Sequence, residues 1–92
     1  MSQCYNREGE PISHAEWSQK LGDYEYQVVK QDTLDNGLHV STVWLGLNHN
    51  FAEGPPLIFE TMVFGGPEEY QERYATLEEA NAGHQTMIEK IS

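Results

Sequence analysis

Apolar and polar positions follow two different rhythms along the chain. Between Tyr24 and Phe64 the alternation is that of strands, and from Leu77 to Ile91 it is that of a helix. Residues 24–33 read as a first strand, with Tyr24, Tyr26 and Val28 on one face. Asp35-Asn36-Gly37 then supplies a hairpin turn, because Asn-Gly accepts the positive φ angles that a tight turn demands. Residues 38–47 return with Val43, Leu45 and Leu47 on one face and Val40, Thr42 and Trp44 on the other. Bulk on both sides predicts a strand that is central or covered twice. A loop over residues 48–56 carries Gly54, Pro55 and Pro56, and two consecutive prolines delay ladder pairing until they are past. Residues 57–64 form the third strand, ended by Gly65-Gly66-Pro67, and residues 73–75 add a short fourth.

The helical rhythm is clearest at the end of the chain. Leu77, Ala80, His84, Met87, Ile88 and Ile91 recur at three- and four-residue steps, which makes one apolar stripe. Thr76 with Glu79 forms a capping box at its start. A second box, Ser13 with Glu16, predicts a short helix over residues 14–21 that stops at Gly22 and depends on the packing of Trp17 and Leu21. Residues 1–11 are polar and marked by Gly and Pro, so they are expected to be a flexible or loosely docked arm. Ninety-two residues make a single domain. The fold class that follows is α+β: a small antiparallel sheet of three to four strands, a C-terminal helix packed on one face, and a short N-terminal helix.

Charge narrows the function. Fifteen Asp and Glu face five Lys and Arg, a formal net charge of -10. Nucleic-acid binding needs clustered cations on phosphates, so direct contact with nucleic acid is excluded from the expectations, and so is an anionic membrane surface. A protein with a basic surface is the partner such a chain suits. Cys4 is the only cysteine, which rules out an intrachain disulfide. No apolar run reaches membrane-spanning length and residues 1–10 do not resemble a signal peptide, so a cytoplasmic location is expected.

Candidate chemistry is sparse. His84 lies inside the apolar helical stripe, where a buried imidazole must find hydrogen-bond partners, for instance a backbone carbonyl of the sheet. His49 follows Asn48 at a strand end, a place from which a side chain can reach a cleft. Glu60 sits mid-strand among apolar neighbours and, if buried, needs a donor such as Arg73, His49 or His84. Asn48, His49, Glu60, Arg73 and His84 therefore form the expected polar cluster. His49, Glu60 and His84 together have the composition of a two-histidine, one-carboxylate metal site, although their spacing matches no compact ligand motif. No cofactor motif is present: Gly65-Gly66 lacks the pattern and the lysine of a phosphate loop. Cys4 has no neighbouring base in sequence and reads as a plain thiol. The carboxylates Glu68, Glu69, Glu72, Glu78 and Glu79 gather between the third strand and the last helix, which makes them the expected partner-binding patch, although Glu78 and Glu79 also suit a helix N-terminus. A second strand bulky on both faces also allows a homodimer built through the sheet.

The C-terminal half carries a resemblance. Ser41-Thr-Val-Trp-Leu-Gly-Leu-Asn-His49, then Gly54-Pro-Pro-Leu-Ile-Phe-Glu-Thr-Met-Val-Phe-Gly-Gly66, then Arg73-Tyr-Ala-Thr76 with Glu79-Ala80 and Gly83-His84, is similar to a group of small uncharacterised proteins of bacteriophages and prophages. The similarity spans residues 37–88. It implies a phage origin and the cytoplasm of a host cell, and it brings no reaction with it. The expectation is a non-enzymatic phage accessory protein that binds a protein, such as a host defence or nucleic-acid-binding factor. The alternatives are a metal-binding protein or metal-dependent enzyme using His49, Glu60 and His84, and a structural assembly component.

Overall fold

The computed structural model describes residues 3–48, 54–66 and 70–92. Two short strands, β1 (Cys4–Tyr5) and β2 (Pro11–Ile12), form a hairpin. Helix α1 (His14–Leu21) and a single helical turn, α2 (Tyr24–Gln27), follow. The main sheet is built from β3 (Val28–Thr33), β4 (His39–Trp44), β5 (Phe59–Phe64) and β6 (Gln71–Tyr74), antiparallel throughout and in the order β3-β4-β5-β6. Helix α3 (Leu77–Ile91) lies across one face of that sheet. This is the expected α+β arrangement, with β4 central.

Three local expectations need correction. Residues 24–27 are helical rather than extended. The Asp23 side chain accepts from the Glu25 amide to cap the turn. The Arg7 guanidinium then gathers the carbonyls of Glu25, Tyr26 and Val28 at its far end. Those capping bonds outweigh the extended preference of two tyrosines. The same contacts explain why residues 3–11 are not a loose arm. The Tyr5 amide donates to the Gly46 carbonyl at 2.7 Å, the Trp44 indole donates to the Tyr5 carbonyl at 3.0 Å, and Cys4 is buried. At the hairpin, only Gly37 takes a positive φ, of 88°, while Asn36 stays on the negative side. The Leu34 amide reaches the Leu38 carbonyl and the Gly37 amide the Leu34 carbonyl, which is a three-residue loop closed by a left-handed glycine. Asn36 uses its side chain instead, donating to the Ile91 carbonyl and so tying the turn to the end of α3.

The core falls into two apolar clusters on the covered face. One joins Trp44, Ile58, Phe59 and Ala80, with Trp17, Leu21 and Tyr26 packed against it. The other joins Val40, Val63 and Met87, with Leu34, Leu38 and Ile91 alongside. Along β4 the covered residues are Val40, Thr42 and Trp44, and along β5 they are Phe59, Thr61 and Val63. The middle row between the two clusters is therefore polar on both strands, and His84 comes down on it from α3, between Ala80 and Met87. Among the described residues no helix is long and apolar enough to cross a membrane.

Candidate functional site

Thr42 and Thr61 stand directly opposite each other in the ladder, which brings their hydroxyls to 2.5 Å. The His84 Nδ1 lies 2.6 Å from the Thr42 oxygen. Its Nε2 lies 2.8 Å from Oδ2 of Asp32 on the edge strand β3. All three of Thr42, Thr61 and His84 are fully buried, whereas the Asp32 side chain remains 40% exposed. The chemistry of the groups fixes the direction of the row. A carboxylate only accepts, so Nε2–H donates to Asp32. In the neutral ring Nδ1 then accepts from the Thr42 hydroxyl, which in turn accepts from Thr61. Every buried side-chain polar atom among the described residues has a partner.

Tyr74 continues the row on β6. Burial pushes its phenol above the usual value of 10.0, the charge of Glu72 adds to that, and the Thr61 hydroxyl opposes it. Asp32, His84 and Thr42 form an acid–imidazole–hydroxyl series, the composition of a nucleophilic triad. They cannot act as one as they stand. Thr42 has no exposed surface, its oxygen is held by two neighbours, and substrate has no route to it. The row is a lock that fixes α3 in register on the sheet.

Glu60 belongs to the opposite face. Its partners in the ladder are Val43 and Arg73, and its carboxylate accepts from Arg73 Nε at 2.9 Å and from Gln71 at 2.6 Å. The shared site expected for Glu60 and His84 is thus divided by the sheet itself. Alternation sends residue 60 to one side, and residues 42 and 61, which meet the histidine, to the other. The donor found for Glu60 is the expected Arg73, and the partners found for His84 are side chains rather than backbone. Asn48 accepts from the Leu57 amide and closes the start of its loop. His49 lies outside the described residues, as do Glu68 and Glu69. Among the described residues no group of three His, Cys, Asp or Glu side chains is gathered as metal ligands.

Of the remaining acidic patch, Glu72, Glu78 and Glu79 are exposed. Glu79 also completes the capping box, accepting from the Ala75 and Thr76 amides while Thr76 accepts from its own. Sequence reasoning missed Asp32, Thr42 and Thr61. The available signal was a threonine at the centre of each apolar strand pattern, both matching the helical position held by histidine.

No family model matches this chain, and no curated protein and no solved structure is significantly similar to it.

Proposed function

We propose that the protein is a non-enzymatic accessory protein of phage origin that acts by binding a basic protein, with a host defence or nucleic-acid-binding factor as the class of target. One observation carries this reading: the two signs of charge are used differently. Four of the five cations are engaged within the molecule. Arg7 holds backbone carbonyls and covers the Tyr26 ring, Lys20 approaches Glu16 and Tyr26, Arg73 binds Glu60, and Lys90 lies over the Tyr70 ring. Apart from Asp32 and Glu60, every described carboxylate is exposed. A partner approaching from water meets a surface on which exposed carboxylates outnumber cations, which speeds encounter with a positive one. The buried acid–imidazole–hydroxyl row supports the same reading from the other side, because this constellation, which has the composition of a catalytic triad, is spent on holding the helix.

The resemblance of residues 37–88 to phage and prophage proteins supports the origin. Affinity capture from bacterial lysate at low and high salt tests the function. The expected result is a basic protein retained at low salt and released as salt rises, since screening shortens the reach of exposed charge to about 8–10 Å near physiological ionic strength. Capture that ignores salt, or a partner with an acidic surface, would overturn the electrostatic basis. Growth of the scattering mass with concentration in the purified protein would point instead to self-assembly.

A further inference from the structure

Strand β6 is an edge. Among the described residues it pairs with β5 on one side and with no strand on the other. An unpaired edge presents backbone donors and acceptors to any extended chain that arrives. Beside this edge runs a groove of about 250 Å³, walled by Glu72 and Tyr74 of β6 and by Gly83, Thr86, Met87 and Lys90 of α3. The helix residues lie on one flank, at steps of three and four. The strand residues are the two that alternate toward the helix, opposite Thr61 and Phe59 in the ladder. Gly83 lets the groove take this shape: a Cβ there would stand 2.2 Å from the Tyr74 ring.

We infer that this groove is a strand-addition site, taking an extended segment of a basic partner as a fifth strand beside β6. Side chains alternate along a strand, so every second residue of the added segment enters the groove. The groove has room for an apolar side chain against Tyr74 and Met87. A lysine or arginine two residues along meets Glu72. Lys90 keeps its positive charge over the Tyr70 ring at the other wall, so the preference for a basic segment comes from Glu72 together with the net charge of -10. A second copy of this chain is the poorer occupant. Pairing two β6 edges would bring two Glu72 carboxylates and two strongly acidic surfaces together. The inference rests on the proposed basic partner for the charge of the segment, and on the edge and groove for its shape.

The test is selection of a random ten-residue peptide library on the whole protein, followed by backbone amide NMR with the enriched peptide. The expected peptide has apolar and basic residues in alternation. It shifts amides of residues 71–74 and of Gly83, Thr86, Met87 and Lys90. It loses about tenfold or more in affinity against Thr86→Trp, which fills the groove from an exposed position, and again when its pairing amides are N-methylated. Circular dichroism of the Thr86→Trp variant checks that it is folded, and the N-methylated peptide needs no variant at all. Shifts elsewhere, N-methylation without effect, or no peptide enriched over Thr86→Trp would each overturn the groove and leave the basic-partner reading standing. Enriched peptides that bind in the groove but carry no basic residues, with affinity unchanged by Glu72→Lys, would overturn the charge reading and leave the groove.

Discussion

Replacing Thr42 by valine keeps the shape of the side chain and deletes one oxygen, and that oxygen has two partners. It lies 2.5 Å from the Thr61 hydroxyl and 2.6 Å from His84 Nδ1, in a place with no exposed surface. Without it, the imidazole loses a donor and Thr61 loses its acceptor. Each stranded buried group costs about 1–3 kcal/mol. The added methyl returns up to about 0.8 kcal/mol of apolar burial. The expected net loss is about 1–5 kcal/mol, a large share of the roughly 5–15 kcal/mol available to a small domain. Thr42→Ser is the control, since it keeps the oxygen and gives up one methyl at a cost of about 1 kcal/mol. The Thr42→Val/Thr61→Val pair removes both hydroxyls, so Thr61 is no longer stranded and the losses are confined to the imidazole and the Tyr74 phenol, and it should be less destabilised than the sum of the single variants by about 1–3 kcal/mol. Urea unfolding followed by tryptophan fluorescence reads the parent, Thr42→Val, Thr42→Ser, Thr61→Val and the double variant. Thr42→Val within about 0.5 kcal/mol of the parent, or no worse than Thr42→Ser, would refute the lock.

Other outcomes follow from single contacts. The Tyr74 phenol is held above its ordinary value mainly by burial, so the folded state keeps its proton to higher pH than the unfolded chain does. That contribution is complete below pH 10 and is lost as pH rises beyond it, so thermal melts should fall above pH 10 less steeply in Tyr74→Phe. Thr76→Ala removes the acceptor of the Glu79 amide at the start of α3 and should cost about 1 kcal/mol in chemical denaturation. Glu60→Ala frees Gln71 and Arg73, which are both exposed and regain water. The loss should be about 1 kcal/mol or less and should shrink as salt is added, in contrast to the salt-insensitive cost of Thr42→Val.

The parts of the fold that the sequence made legible are those written in local chemistry. Thr76 with Glu79 marked the start of α3, the stripe through Ala80, His84 and Met87 marked its buried side, and the period of two marked β4 and β5. What stayed hidden depends on residues far apart in sequence. The turn at Tyr24–Gln27 is held by Arg7, about eighteen positions earlier, and the docking of residues 4–5 depends on Trp44 and Gly46. Glu60 and His84 were legible as polar residues in apolar settings, and Arg73 as a donor for one of them. Their separation was not, because it turns on which parity of β5 faces α3, and Ile58, Glu60 and Met62 form as plausible an inner face on paper as Phe59, Thr61 and Val63. The difference lies in pairing: Phe59 and Val63 complete two apolar clusters, while Glu60 finds Arg73 and Gln71 on the outer side.

The imidazole of His84 offers the most direct test of the claim that the buried row is a structural lock. Long-range nitrogen–proton NMR of the folded protein at neutral pH distinguishes the two ring nitrogens. The expected spectrum shows a proton on Nε2, held by Asp32, and an unprotonated Nδ1 accepting from Thr42. A proton on Nδ1, or a ring proton that exchanges freely with water, would contradict it.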